Sequence, residues 1–291
     1  MEILKFDPSE QRDIAVDLGV VPEPLTEIEC ARVYQQNMPA APPQIVDGIL
    51  HQGCKMLLAG TIKSNKSWCL LELAMCVASG ANWWGRRCAM MPVVYINFEL
   101  PRWAVGQRLG ALWTARPELV EGLDRLHMWN LRGQNADLTL LRPKLEEKLD
   151  RHQFGLIIVD PAYKVLGNRD ENANGEIADL MNELEALVQR TKAGLVIAHH
   201  FAKGDSTAKS AIDRMSGAGA WARDPDSLVV LTPHEEPQAF TVSTILRNLP
   251  MLDEFVLQWD FPLMRLAPRE LSAPRDGALD DRLPDRLSYG P

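Results

Sequence analysis

The chain has 291 residues, 46% of them hydrophobic, and a formal net charge of −8. That length and content suffice for one large α/β core, and the acidic balance excludes an overall basic coat for nucleic acid, so any such contact must come from a local patch. Five cysteines, odd in number and without a C-x-x-C pair, exclude a disulfide framework and a cysteine zinc site and read as buried reduced thiols.

In chain order, Met1-Glu-Ile-Leu-Lys-Phe-Asp7 lacks the basic start and apolar run of a signal peptide. No apolar stretch reaches the roughly 18 residues a membrane helix needs. A cytoplasmic protein without membrane contact is expected. Residues 1–43 form an acidic N-terminal arm that ends in Met38-Pro-Ala-Ala-Pro-Pro43, and Ile45-Val-Asp-Gly-Ile-Leu50 then leads into the first core strand. From there the pattern predicts a strand at 56–60, a helix at 66–79 stopped by Gly80, a strand at 93–98, a helix at 101–115, a strand at 125–129 and a helix at 138–152. A strand at 155–160, a helix at 175–191 and a strand at 194–199 follow. Strands alternating with helices imply a mostly parallel central sheet with helices on both faces. Residues 201–223 are small, polar and glycine-containing, and 227–232, 239–247 and 254–260 read as an antiparallel extension at one sheet edge. The expected domain runs over 44–267, and 268–291, with four prolines, reads as a flexible tail.

Chemistry concentrates at the strand ends. Gly60-Thr61-Ile62-Lys63-Ser64-Asn65-Lys66-Ser67 fits the phosphate-binding pattern G-x-x-x-x-G-K-[ST], in which backbone N–H groups surround a phosphate, the lysine reaches its oxygens and the hydroxyl ligates Mg²⁺. The second glycine is replaced by Asn65. Asparagine is among the side chains that most readily take positive φ, so the turn survives the exchange. The apolar strand before Gly60 and the helix after Ser67 supply the context that separates this loop from a chance match.

Three further strand tips carry candidate roles. Gly155-Leu-Ile-Ile-Val-Asp160 is an apolar strand ending in a carboxylate, the form of a Walker B acid for Mg²⁺. Val93-Val-Tyr-Ile-Asn-Phe-Glu99 ends in a carboxylate that can orient and deprotonate an attacking water, although a glutamate just before a Pro101 helix start is also favourable electrostatically. Ala193-Gly-Leu-Val-Ile-Ala-His199-His200 ends in two imidazoles, and His199 could donate a hydrogen bond to a γ-phosphate; metal binding is the rival use. Trp83-Trp84-Gly85 reads as core packing or a subunit contact.

The ordered set Gly60–Ser67, Tyr95-Ile-Asn-Phe-Glu99, Ile157-Ile-Val-Asp160 and Ala198-His-His-Phe-Ala-Lys203-Gly resembles the RecA-fold ATPases of the RepA plasmid-helicase type, relatives of the DnaB-like hexameric helicases. The resemblance covers about residues 40–265 and implies a RecA-like P-loop NTPase using ATP and Mg²⁺. It implies that Lys66 and Ser67 bind phosphates and Mg²⁺, that Glu99 is the catalytic carboxylate, that Asp160 is the metal acid, and that His199 senses the γ-phosphate. It further implies a homo-oligomeric, hexameric ring with the nucleotide between subunits and an arginine finger at Arg247, with Arg223 and Arg214 as weaker candidates. The loop 201–223 would then meet single-stranded DNA through Lys203, Lys209 and Arg214, in a process such as replication of a mobile element. Two functions stay open: a ring-forming, helicase-like motor, and an ATP-binding switch subunit that assembles without unwinding anything.

Overall fold

The computed structural model describes residues 28–134, 138–200 and 219–268. The first 27 residues of the arm, the cations Lys203, Lys209 and Arg214, and the tail beyond 268 lie outside the described residues. The chain divides into two units, Met1–Ala41 and Pro42–Pro291. In the first, α1 spans Ala31–Gln36.

The second unit begins with a two-stranded antiparallel hairpin, β1 (Gln44–Val46) and β2 (Leu50–His51). The α/β alternation follows: β3 (Lys55–Gly60), α2 (Lys66–Ser79), β4 (Val93–Asn97), α3 (Arg102–Ala115), a 3₁₀ segment Pro117–Arg125, β5 (Leu126–Asn130), α4 (Leu138–His152) and β6 (Leu156–Asp160). Next come a short 3₁₀ turn Ala162–Val165, α5 (Asn174–Thr191), β7 (Gly194–His200) and α6 (Gly219–Arg223). The strands β8 (Ser227–Pro233), β9 (Ala239–Leu246), β10 (Phe255–Asp260) and β11 (Leu263–Leu266) complete the unit.

These strands form one nine-stranded sheet in the order β11-β10-β9-β8-β3-β7-β6-β4-β5. From β8 to β5 every pairing is parallel, and β9, β10 and β11 add antiparallel neighbours at one edge. The fold is therefore the expected RecA-like α/β class. Strand alternation splits the core in two. Met56, Leu58, Leu156, Ile158, Val196 and Ala198 pack under α2 and α3, whereas Leu57, Ala59, Ile157, Val159, Leu195 and Ile197 pack under α4, α5 and Trp221. All six residues of β3 are buried, as a central strand covered on both faces requires.

The predicted boundaries agree with the observed elements to within a residue or two. Three short pieces differ. The segment expected to lead into the core is the β1–β2 hairpin, the stretch 117–125 is a 3₁₀ helix, and β11 follows β10 after a two-residue turn. α2 ends at Gly80, whose φ of +78° closes the helix in the left-handed region. Trp83 and Trp84 stack at 3.6 Å between ring centres inside the core. The five cysteines are unpaired. No described helix is long and apolar enough to cross a membrane.

Ion pairs centred on Lys55 tie the sheet to its cover, and one at Arg116 ties two covering helices together. Lys55, at the start of β3, is 3% exposed, pairs with Glu185 of α5 at 3.0 Å, and also bonds Asp224 just after α6. Arg116, after α3, holds the buried Glu72 of α2 at 2.9 Å. Burial pushes the Glu72 carboxyl up, and the Arg116 bond and charge oppose that rise. Removing one partner of such a pair leaves an uncompensated buried charge. Arg116→Met is therefore expected to destabilise the fold by about 3–5 kcal/mol in denaturant unfolding, and adding Glu72→Leu is expected to recover much of the loss.

Candidate active site

The phosphate-loop sequence forms the turn between β3 and α2. Asn65 occupies the N-cap of α2 with φ 57° and ψ 25°, squarely in the left-handed region. This is the conformation the pattern's glycine would supply, and it explains how the loop keeps its shape with asparagine there. Gly60 is needed for a different reason. A Cβ at that position would sit 2.6 Å from Ser64 Oγ and 3.1 Å from the Leu231 carbonyl oxygen.

Lys66 Nζ donates to the carbonyl oxygens of Gly60 at 2.8 Å and Thr61 at 2.9 Å, and to Ser64 Oγ at 3.2 Å. The loop thus curls around the ammonium group. Burial lowers the Lys66 pKa to about 8, with Asp160, Cys69 and Glu99 acting the other way. Ser67 stands in the first turn of α2 with its hydroxyl next to this lysine in sequence. A cavity of about 530 Å³ opens beside the loop, between Thr61, Ile62 and Lys63 and the β8–β9 turn at 233–240.

The other tips lie along the same edge of the sheet. β7 separates the strand of the loop from β6, and β4 lies beyond β6. Gly60 is level with His200 across β3–β7, and Asp160 is level with Asn97 across β6–β4. Asp160 is buried and accepts a hydrogen bond at 2.6 Å from the phenol of Tyr95 on β4. Burial, and then the negative charge of Asp160, push the Tyr95 phenol well above its ordinary value, so it remains a donor at neutral pH.

Glu99 is exposed two residues past the end of β4, and Asn97 shapes the turn that presents it. The Asn97 Oδ1 accepts from the Leu100 N–H at 2.9 Å and the Glu99 N–H at 3.3 Å. Its amide nitrogen donates to the Leu100 carbonyl at 2.6 Å and to Asn130 Oδ1, at the tip of β5, at 2.9 Å. Asn97→Ala removes all four bonds while leaving the loop and Asp160 untouched. Turnover is expected to fall on the order of 10²-fold with nucleotide affinity retained, measured by steady-state hydrolysis beside equilibrium binding.

Arg108 of α3 brings a cation to the same corner. Its guanidinium lies 4.8 Å from the ring centre of Trp68, the residue after Ser67. Burial lowers its pKa, and Tyr95, Asp160 and Glu99 oppose that shift.

The two histidines part company. His199 packs on the α5–α6 side, stacked on Trp221 at 4.3 Å between ring centres. His200 shares strand parity with Val196 and Ala198, on the face of α2, Tyr95 and Asp160. Burial lowers the His199 pKa to about 4, with His200 and Lys66 adding to the effect, and burial and Lys66 also lower that of His200. Both rings are neutral at pH 7. The Nδ1 of His200 is buried and has no hydrogen-bond partner among the described residues. By strand parity the imidazole on the face of Asp160 is His200, whereas His199, the expected γ-phosphate contact, lies on the opposite face, and two-residue alternation along β7 carried that signal.

Arg247 is exposed just after β9, and its N–H donates to the Asp226 carbonyl at 2.9 Å. Leu246 is level with Ser227, which is level with Met56 at the start of β3. Arg247 therefore sits at the sheet edge opposite the chain's own loop. Arg223 is exposed at the end of α6. Sequence reading missed Tyr95, Asn97, Asn130, Arg108 and His200 as members of this corner.

The Ser67 hydroxyl and the Asp160 carboxylate are hard oxygen donors of the kind that hold Mg²⁺ beside nucleotide phosphates, and the Tyr95 bond occupies only one carboxylate oxygen. The residues present fit that ion. No match is found among the curated proteins. A family model described as an AAA domain matches residues 24–206, more than half of the chain's 291 residues. That span takes in the loop, Glu99, Asp160 and both histidines, and with it the chain belongs to the AAA domain family of P-loop ATPases.

Proposed function

We propose that the protein is an Mg²⁺-dependent ATPase of the RepA type that assembles as a homo-oligomeric ring and acts on single-stranded DNA. The observation that carries the catalytic part is the common edge of β3, β7, β6 and β4, where Lys66, His200, Asp160 and Glu99 stand in sequence around one loop. Lys66 leaves its carbonyl partners for the β- and γ-phosphate oxygens of ATP. Ser67 and Asp160 hold Mg²⁺, which neutralises charge on those phosphates when bound. Glu99 accepts a proton from a water whose oxygen attacks the γ-phosphorus. The bond from that phosphorus to the β–γ bridging oxygen breaks, releasing ADP and inorganic phosphate. His200, neutral at pH 7, donates a hydrogen bond to the γ-phosphoryl oxygens and links their loss to the chain that follows β7.

The ring part rests on Arg247. An exposed arginine at the edge away from its own loop can reach only a neighbouring chain's nucleotide, where it stabilises charge on the transferred phosphoryl group. The second reading, an ATP-binding switch that assembles without unwinding, draws on Asn65, whose side chain stands where the pattern has none.

Hydrolysis of ATP by the purified chain, with and without Mg²⁺ and single-stranded DNA, tests the first reading, with solution mass measured beside an ATP analogue. DNA-stimulated turnover in a nucleotide-stabilised oligomer is the expected result. Binding and assembly without hydrolysis would leave the switch, and no nucleotide binding would overturn both. Activity regained on mixing Arg247→Ala with Lys66→Ala chains locates the finger between subunits.

A further inference from the structure

We propose that Tyr95 is a positioning residue that sets the Asp160 carboxylate for its divalent cation. The inference rests on the nucleotide-site reading above and extends it to the side chain bonded to the metal-site carboxylate. Tyr95 and Asp160 lie on adjacent parallel strands. Tyr95 is level with Ile158, so its phenol reaches one diagonal step up the sheet to the end of β6. The hydroxyl donates to Asp160 Oδ2 at 2.6 Å, the short range of a charge-assisted bond. Tyr95 is 1% exposed and Asp160 is 3% exposed, so the bond between them is shielded from bulk water.

The ring is fixed before the bond is made. Tyr95 belongs to the core that also holds Ile158, Ala198 and the buried face of α2, and close packing there restricts how far the ring can turn. An aspartate carboxylate, by contrast, turns about a broad two-fold torsion. Among the described residues the phenol is the hydrogen-bond donor to that carboxylate. It engages Oδ2, so Oδ1 would be the oxygen left to hold a cation. Outer-shell donors of this kind fix how a metal-ligating group is presented, and their loss costs metal affinity about 10–100-fold.

A plainer role competes: a buried tyrosine needs an acceptor, and Asp160 is near. That role predicts a change in fold stability and none in metal dependence. The decisive measurement is equilibrium binding of a fluorescent ATP analogue to the full chain, in EDTA and across an Mg²⁺ titration, for wild type and Tyr95→Phe. The phenyl variant is expected to bind the analogue in EDTA within about twofold of wild type and to need at least ~10-fold more Mg²⁺ for half of the metal-dependent gain. In an Asp160→Asn background the same substitution is expected to change nothing further. Should the phenyl variant fail to fold, Tyr95→Met, which fills most of the ring volume, reads the same split. An unchanged Mg²⁺ midpoint in a folded variant overturns the role of Tyr95 alone. Wild-type binding with no Mg²⁺ dependence overturns it together with the metal site itself.

Discussion

Glu99→Gln is expected to bind ATP within about twofold of wild type and to lose turnover by roughly 10²- to 10⁴-fold, the range that a positioned general base supplies. The glutamine keeps the shape and polarity of the side chain and cannot accept the water's proton. Nothing else at the corner changes, because the turn that carries residue 99 is held through its own N–H and through Leu100, both bonded to Asn97. Single-turnover hydrolysis beside equilibrium binding separates the two steps. The competing account of Glu99 is electrostatic support for the start of α3, worth about 0.3–1 kcal/mol of stability and nothing in catalysis. A glutamine variant with wild-type turnover and a slightly lowered melting temperature would establish that account instead.

For Lys66→Ala the loss falls on binding. The ammonium group forms charge-assisted bonds to phosphate, each worth about 1.5–3 kcal/mol, so ATP affinity is expected to drop by at least ~10-fold and hydrolysis to fall below detection. A pH series adds a signature that simple misfolding does not reproduce. Burial lowers the Lys66 pKa to about 8 in the free chain, so raising the pH through that value discharges the group that ATP requires. Wild-type affinity is expected to decline above about pH 8, with proton uptake on binding in that range, and the alanine variant lacks both. Fold stability runs the other way. The unfolded chain holds this proton up to about 10.4, so between the two values it binds more protons than the folded chain, and the contribution of Lys66 to stability rises with pH. Calorimetry in two buffers of different ionisation enthalpy, and unfolding at stepped pH, read the two effects.

Much of this architecture was legible because the strongest local signals coincide with the elements that matter. The apolar run before Gly60, the helical stretch closed by Gly80, the carboxylate ending β6 and the one just past β4 are all local in sequence, and so are their structural causes. The short strands escaped because two to four residues carry too few positions for a period to show. Strand order is different in kind. That β7 lies between β3 and β6 depends on which way each crossover travels, and spacing along the chain is silent on it. The same holds for Tyr95 with Asp160 and for Asn97 with Asn130, partners brought together by the sheet from 65 and 33 residues apart. His200 was within reach, since alternation from buried Ala198 assigns it to the α2 face.

The stack of His199 on Trp221 ties two residues that are not neighbours in sequence. These two rings stand on either side of the connection 201–218, one at the end of β7 and the other within α6, and their contact clamps the exit and re-entry of the chain at the core. The ring stack thus joins the end of β7 to α6 at the core directly, side chain to side chain.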